Sequence, residues 1–330
     1  MLRVPFADVV SALTAALAGL GFDSDRAARC ARLFAETTCD GVYSHGIERV
    51  PRFLAMIRNG SVDPGAAPVC VQQLAAIERW NGRRGPGNLN AWASMARAVE
   101  LSAEHGIGCV ALANTNHWMR GGTYGWQAAD AGVIGLCWTN TLANLPPWGA
   151  SVPALGNNPL IVAVPRPAGH VILDMAMSQF SYGALTAYRQ RGAMLPVDGG
   201  FDAAGNLTRD PAAIEASQRP LPIGYWKGSG LAMMLDLLAA LLSGGLATHQ
   251  FPADPLRETG LSQVFLAISL ARLQPAEDSA RMADAIVASV LAANPAAVRY
   301  PGEQILKTRA ENLRLGLPVR EELWEELLRA

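Results

Sequence analysis

Apolar positions change their period several times along the 330-residue chain, and the changes divide it into parts. Residues 6–20 carry apolar side chains at helical spacing and stop at Gly21. Asp23 or Ser24 can then cap a helix over 26–37. A third helical stretch covers about 50–58 and ends on Asn59-Gly60, a good C-terminal stop. Residues 61–68 are Pro/Gly-rich and read as a linker, and a helix over 89–104 ends at His105-Gly106. The period then shortens. Residues 107–113, 133–139, 160–165 and 171–175 are strand-like, with a short helix over 125–131. Helices follow over 180–190 and 228–243, then a strand over 262–270, then helices again from Pro275. The pattern predicts a mixed α/β fold. A helical part built from 1–75 and about 295–330 packs against a central mixed-sheet part, 76–294.

The longest apolar stretch, 231–246, is broken by Asp236 and is too short to span a bilayer, so it reads as a buried helix of a soluble protein. The N-terminus, Met1-Leu2-Arg3-Val4-Pro5-Phe6, lacks the layout of a signal peptide, and the expectation is a cytoplasmic chain. With 27 basic and 28 acidic residues and no basic tract, neither nucleic acid nor a membrane surface is an expected partner. The five cysteines form no CxxC pair and read as reduced thiols rather than a disulfide frame or a metal site. Only two lysines occur, Lys227 and Lys307, which makes their positions informative.

Polar clusters in this apolar background carry the candidate chemistry. Ser44-His45-Gly46 is followed by Arg49 and Arg52. A histidine is suited to protonating a carbonyl oxygen, and an arginine fork to gripping a carboxylate. Helical spacing puts His45, Arg49 and Arg52 near one face, although Pro51 restricts a helix there to its first turn. The second cluster, Asn114-Thr115-Asn116-His117-Trp118-Met119-Arg120-Gly121-Gly122, follows a strand, where ligands often sit. Either segment can instead be a solvated loop with a satisfied histidine. The nearest match to a dinucleotide fingerprint, Gly106-Ile107-Gly108-Cys109-Val110-Ala111, leaves a helix and enters a strand, the reverse of what that motif needs. Gly224-Tyr225-Trp226-Lys227-Gly228-Ser229-Gly230 opens a helix and carries one of the lysines, a setting that suits an anion.

Together, Tyr43-Ser44-His45-Gly46, Asn116-His117-Trp118-Met119-Arg120-Gly121-Gly122 and Pro146-Pro147-Trp148-Gly149 resemble the type-2 malate/L-lactate dehydrogenase family. The likeness continues through Gly125-Trp126-Gln127-Ala128-Ala129, Gly156-Asn157-Asn158-Pro159-Leu160-Ile161 and Leu195-Pro196-Val197-Asp198-Gly199-Gly200-Phe201, and covers nearly the whole chain. The resemblance implies a non-Rossmann NAD(P)-binding domain, a homodimer with the active site near the subunit interface, and reduction of a small keto acid. It makes His45 the acid, with His117, which takes the acid/base role in some relatives, as a second catalytic candidate in the same pocket and Ser44, Arg49 and Arg52 on the substrate. It places the cofactor on His170, Val171, Ile172, Leu173, Asp174, Met175 and Ala176, on Trp226 and Lys227, and on Gly302, Glu303 and Gln304. Thr139 and Asn140 fall on its nicotinamide side. The implied cofactor is NADH, with NADPH as the alternative, because Asp174-Met175-Ala176 and the side chains near Gly302 depart from the pattern of close relatives. The implied substrate is a 2-keto sugar acid; malate, lactate, ureidoglycolate and cyclic imino acids are alternatives within the family, and a non-catalytic ligand-binding protein is one outside it.

Overall fold

The structure, a computed structural model, describes residues 1–329. The chain begins with β1 (Leu2–Val4), α1 (Phe6–Ala18), α2 (Ser24–Cys39) and α3 (Val50–Arg58). It continues with β2 (Val69–Leu74), β3 (Ile77–Asn81), α4 (Gly87–His105), β4 (Ile107–Asn116), α5 (Gly122–Asp130) and β5 (Val133–Thr139). Next come β6 (Ala143–Leu145), β7 (Leu155–Gly156), β8 (Leu160–Val164), β9 (Val171–Met175), α6 (Tyr182–Gln190), β10 (Gly200–Phe201), β11 (Leu207–Thr208) and α7 (Pro211–Ser217). The last elements are α8 (Trp226–Ser243), β12 (Thr259–Ser269), α9 (Ala276–Ala292), α10 (Glu303–Leu315), β13 (Leu317–Val319) and α11 (Glu321–Arg329).

The two ends of the chain build one helical layer. β1 lies antiparallel to β13, with Leu2 opposite Val319 and Val4 opposite Leu317. Leu13, Leu17, Phe34 and Phe53 share a core with Leu317, Leu323 and Leu327. Asp23 caps α2, its carboxylate accepting from the Arg26 amide at 2.9 Å. Neither three-residue strand was expected; each exists only through its pairing with the other.

The sheet has seven strands in the order β2-β3-β4-β12-β5-β8-β9. Only β3 and β4 run parallel, joined by α4 as the crossover. A mostly antiparallel sheet of this order is not the doubly wound sheet of a Rossmann domain. α4 and α5 cover one face, where Met95, Leu101, Ala128 and Ala129 pack on Val110, Cys137, Ile161 and Phe265. α8 covers the other face through Ala239 against Ala111 and Val264. Residues 69–74, expected within the helical part, form the edge strand β2. A smaller excursion, 178–222, leaves and rejoins this body through the Ser178–Pro222 bridge and packs Leu185, Leu195 and Ile214 into its own core.

One expectation is corrected. α8 is not buried all round. Ala232, Leu235 and Ala239 face inward, while Met233, Met234, Leu237, Leu238 and Leu241 stay in solvent, Leu241 at 76% exposure. A helix that is apolar on every side needs cover on every side, and this chain covers one. Among the described residues no helix is long and apolar enough to cross a membrane. All five cysteines are free, and four of them are buried.

Candidate active site

His45 lies in a tight turn between α2 and α3, and Gly46 makes the turn possible. A Cβ on Gly46 would lie 2.1 Å from the Thr38 hydroxyl oxygen, and that same oxygen accepts the Ile47 amide at 2.8 Å. Pro51 falls in the first turn of α3, where a proline is tolerated. His117 follows the end of β4. The start of α4 presses on it: a Cβ on Gly87 would lie 2.2 Å from the Asn116 carbonyl oxygen and 2.3 Å from that of His117.

These two turns bring the histidines together. The rings of His45 and His117 are 5.7 Å apart and 23° from parallel. Ser44 Oγ is 2.9 Å from His45 Nδ1. The Met119 amide donates to His117 Nδ1 at 3.1 Å. A backbone amide only donates, so His117 is held with Nδ1 as acceptor and its hydrogen on Nε2. Burial, then the Arg49, Arg120 and Arg52 charges, lower His45 to about 4. Burial, then Arg49, His45 and Arg52, hold His117 well below the usual imidazole range.

The two predicted carboxylate-gripping arginines differ. Arg52 is spent on protein: its Nη2 donates to the Pro255 carbonyl and to buried Glu258, the latter at 3.3 Å. Glu258 also accepts the Leu142 amide. Arg49 pairs with no carboxylate among the described residues. Burial and the neighbouring Arg52 charge push its guanidinium down to about 10. An arginine held beside two neutral histidines with no carboxylate in contact, the Glu258 charge acting on it only from a distance, is suited to receive an anion.

A third guanidinium stands near His45. Arg120 is 3% exposed, and its Nη1 pairs with Asp40, which is also held by Arg309 at 2.6 and 2.9 Å. Its Nε and Nη2 are buried without an acceptor, and Nε lies 3.8 Å from an Asp174 carboxylate oxygen. Asp174 accepts the Gly122 amide at 2.9 Å. Burial raises the Asp174 carboxyl, and Arg120 and that amide pull it back. The polar run around Arg120 was visible in the sequence. Asp40 and Glu258 were not, because each acts on a partner at least eighty residues away.

The segments expected to hold a cofactor meet on one sheet edge. The Ile172 amide of β9 donates to the Pro301 carbonyl at 2.9 Å, and Gly302 lies so close that a Cβ would be 3.2 Å from that amide nitrogen. Beyond the other end of β9, the Ile223 amide donates to the Met177 carbonyl at 2.8 Å, which brings the start of α8 alongside. Trp226 there is 66% exposed, and Lys227 pairs with no carboxylate among the described residues. His170 is held by Asp130 at 2.9 Å. The side chains of Thr139 and Asn140 are used within the fold. Thr139 donates to the Asn140 and Ser262 carbonyls, and Asn140 bonds Asp236, the Leu246 carbonyl and the Ser262 amide.

Comparison with known proteins gives this site its family. The sequence profile described as malate/L-lactate dehydrogenase matches residues 4–328. Proteins named 2,3-diketo-L-gulonate reductase from Shigella boydii serotype 4 and Escherichia coli K12 are each 47% identical over 330 residues, covering 99% of both chains. Among solved structures, sulfolactate dehydrogenase from Methanocaldococcus jannaschii superposes with a TM-score of 0.91 at 25% identity, covering 99% of this chain and 95% of that one. The delta1-piperideine-2-carboxylate reductase of Pseudomonas syringae pvar. tomato superposes at 0.89 with 26% identity, covering 100% of this chain and 99% of that one. The chain belongs to the malate/L-lactate dehydrogenase family and is an oxidoreductase that acts on CH–OH groups with a nicotinamide cofactor.

Proposed function

We propose that the chain reduces the C2 ketone of 2,3-diketo-L-gulonate to 3-keto-L-gulonate with NADH, His45 giving the proton. The 47% identity to proteins of that name supports the substrate. The unpaired Arg49 beside the stacked His45 and His117 carries the reading. Arg49 takes the substrate carboxylate in a two-point grip. That negative charge offsets the Arg49 repulsion that lowers His45, so substrate binding favours the imidazolium. In the imidazolium Nδ1 donates to Ser44 Oγ, and the proton on Nε2 passes to the C2 oxygen. His117, with its hydrogen on Nε2, donates a hydrogen bond to a substrate oxygen. Arg52 keeps Glu258 neutralised at the edge of the site and adds positive charge.

The residues fit a dinucleotide. Arg120 Nε and Nη2, which lack an acceptor, and Glu303 Oε2, which lacks a donor, are buried next to the β9 edge segments. His170 to Ala176, Gly302 to Gln304, and Trp226 with Lys227 would hold it. When bound, its nicotinamide supplies the hydride to C2.

The homodimer belongs to the same reading. The exposed apolar face of α8 supports a second copy as its cover. The protein acts in the cytoplasm on a soluble acid.

The test follows NADH and NADPH absorbance with a panel of 2-keto acids that includes 2,3-diketo-L-gulonate. Rapid NADH oxidation with that acid is the expected result. Turnover of other panel members alone removes the substrate assignment, and no oxidation with any of them removes the reading.

A further inference from the structure

Gly183 stands in the first turn of α6, the helix that opens the 178–222 excursion. Nothing in its backbone asks for glycine. Its φ is not in the left-handed region, and the turn around it is regular, the Ser181 hydroxyl accepting the Ala184 amide at 3.1 Å. Alanine is the better helix former at such a position. A neighbour is what excludes a side chain: a Cβ on Gly183 would lie 2.8 Å from Ser44 Oγ and 3.1 Å from Ser44 Cβ. Ser44 is the residue whose hydroxyl meets His45 Nδ1 at 2.9 Å. The start of α6 therefore reaches from the excursion to the turn that carries His45.

The backbones on both sides of this contact are pinned. In the His45 turn the Gly46 amide donates to the Val42 and Tyr43 carbonyls, each at 3.1 Å, and the Ile47 amide donates to the Thr38 hydroxyl oxygen at 2.8 Å. In α6, Leu185 is buried with Leu195 and Ile214, and the Thr186 hydroxyl donates to Glu215. The Ser44 hydroxyl turns about a single bond and is the softest member of the contact. Its staggered positions lie about 120° apart, so an oxygen driven from one lands well away from it. One other response is open to the fold. Among the described residues, hydrogen bonds join the excursion to the body only at its neck, so the excursion can retreat as a unit.

We propose that Gly183 is a positioning residue for His45: the bare backbone of α6 leaves the Ser44 hydroxyl the place in which it meets Nδ1, and a side chain at 183 drives it out. Gly183 touches neither ring and acts only through Ser44. The consequence for the reaction rests on the reading of His45 as proton donor in the preceding subsection. There the Ser44 oxygen accepts from Nδ1 of the imidazolium. With that oxygen displaced, the Nδ1 hydrogen loses its partner and the ring is free to turn Nε2 off the substrate.

The test compares Gly183→Ala, Ser44→Ala and the double variant in the full-length protein, by steady-state kinetics and by nitrogen NMR of the imidazoles. The His45 signals are those that His45→Ala removes. Each single variant is expected to lower kcat about tenfold, the cost of one hydrogen bond, with KM for NADH unchanged. Each is expected to move the His45 Nδ1 resonance in the same direction. Gly183→Ala is expected to unfold at no lower temperature than the wild-type protein, since the new side chain suits a helix. The double variant is expected to match Ser44→Ala alone, because no hydroxyl is left to displace. Losses that multiply in the double variant show the excursion retreating from the site and overturn the proposal. So does a Gly183→Ala protein whose Nδ1 resonance stays where it is. A resonance that moves while kcat holds supports the placement of Ser44 by Gly183 and counts against His45 as the acid, so the two readings fail separately.

Discussion

His45 and His117 stack at 5.7 Å, yet their Nδ1 atoms meet different partners. The Met119 amide fixes His117 as an Nε2–H donor. Ser44, whose hydroxyl both donates and accepts, leaves His45 free to change its protonation state. On the proposed mechanism the pair divides the work: one ring moves a proton and the other holds an oxygen. His45→Ala is expected to lower kcat by roughly 10²–10⁴. His117→Phe, which keeps a ring against His45, is expected mainly to raise KM. If His45→Ala turns over near wild type while His117→Ala abolishes reduction, the acid is misassigned.

Arg49 and Arg52 differ in the same way, one open and one engaged. Arg49→Met is expected to raise KM for the keto acid at least tenfold with little change in the unfolding temperature, since it removes no ion pair from the free protein. Arg52→Met leaves the Glu258 carboxylate buried and unpaired, at a cost of about 3–5 kcal/mol. A double Arg52→Met, Glu258→Gln variant is expected to recover much of that loss. Thermal unfolding of the three variants beside steady-state kinetics checks the split; equal stability loss in both single variants would refute it.

This contrast shows how far the sequence could be read. His45, Arg49 and Arg52 stand out as polar residues in an apolar chain at helical spacing, and the structure gathers them. Spacing cannot say which arginine is already used, because Glu258 lies 206 residues away. Thr139 and Asn140 sit at a strand end, as a ligand contact does, yet β12 and α8 take up their side chains. The long sheet strands announce themselves by length and apolar content. β1 and β13, three residues each, hold together only by pairing across the whole chain. The apolar run of α8 gives no sign of whether its cover comes from the same chain.

The lowered His45 sets two pH dependences. With His45 as the proposed acid, the free enzyme must be protonated at a group near 4, so kcat/KM for reduction is expected to fall as pH rises from 5 to 8. Stability moves the other way. The unfolded histidine titrates near 6.5 and the folded one near 4, so the unfolded chain binds more protons between these values. Stability is expected to be full above about 6.5 and to drop by up to about 3 kcal/mol as pH falls toward 4. His117, lowered well below its usual range, adds a change of the same sign. Arg49→Gln removes the largest charge acting on His45, and a histidine NMR titration is expected to show its pKa rising. A pKa unmoved by that substitution would remove Arg49 as a cause and leave burial with the Arg120 and Arg52 charges.

The outer face of α8 makes the assembly testable without reference to catalysis. Met233, Leu237 and Leu241 follow one another at helical spacing on its exposed side, next to Met234 and Leu238. Left in water, a stripe of this kind favours association. A two-fold axis lets the same stripe cover itself, since each copy presents what the other needs. Leu237→Glu and Leu241→Glu place like charges across such an axis, and the double variant is expected to sediment as a monomer where the wild-type protein sediments as a dimer. The charges lie on the face opposite Ala232 and Ala239, so the fold of each copy is expected to survive, as circular dichroism would show. A wild-type protein that sediments as a monomer at micromolar concentration, or a double variant that stays dimeric, would remove α8 from the interface.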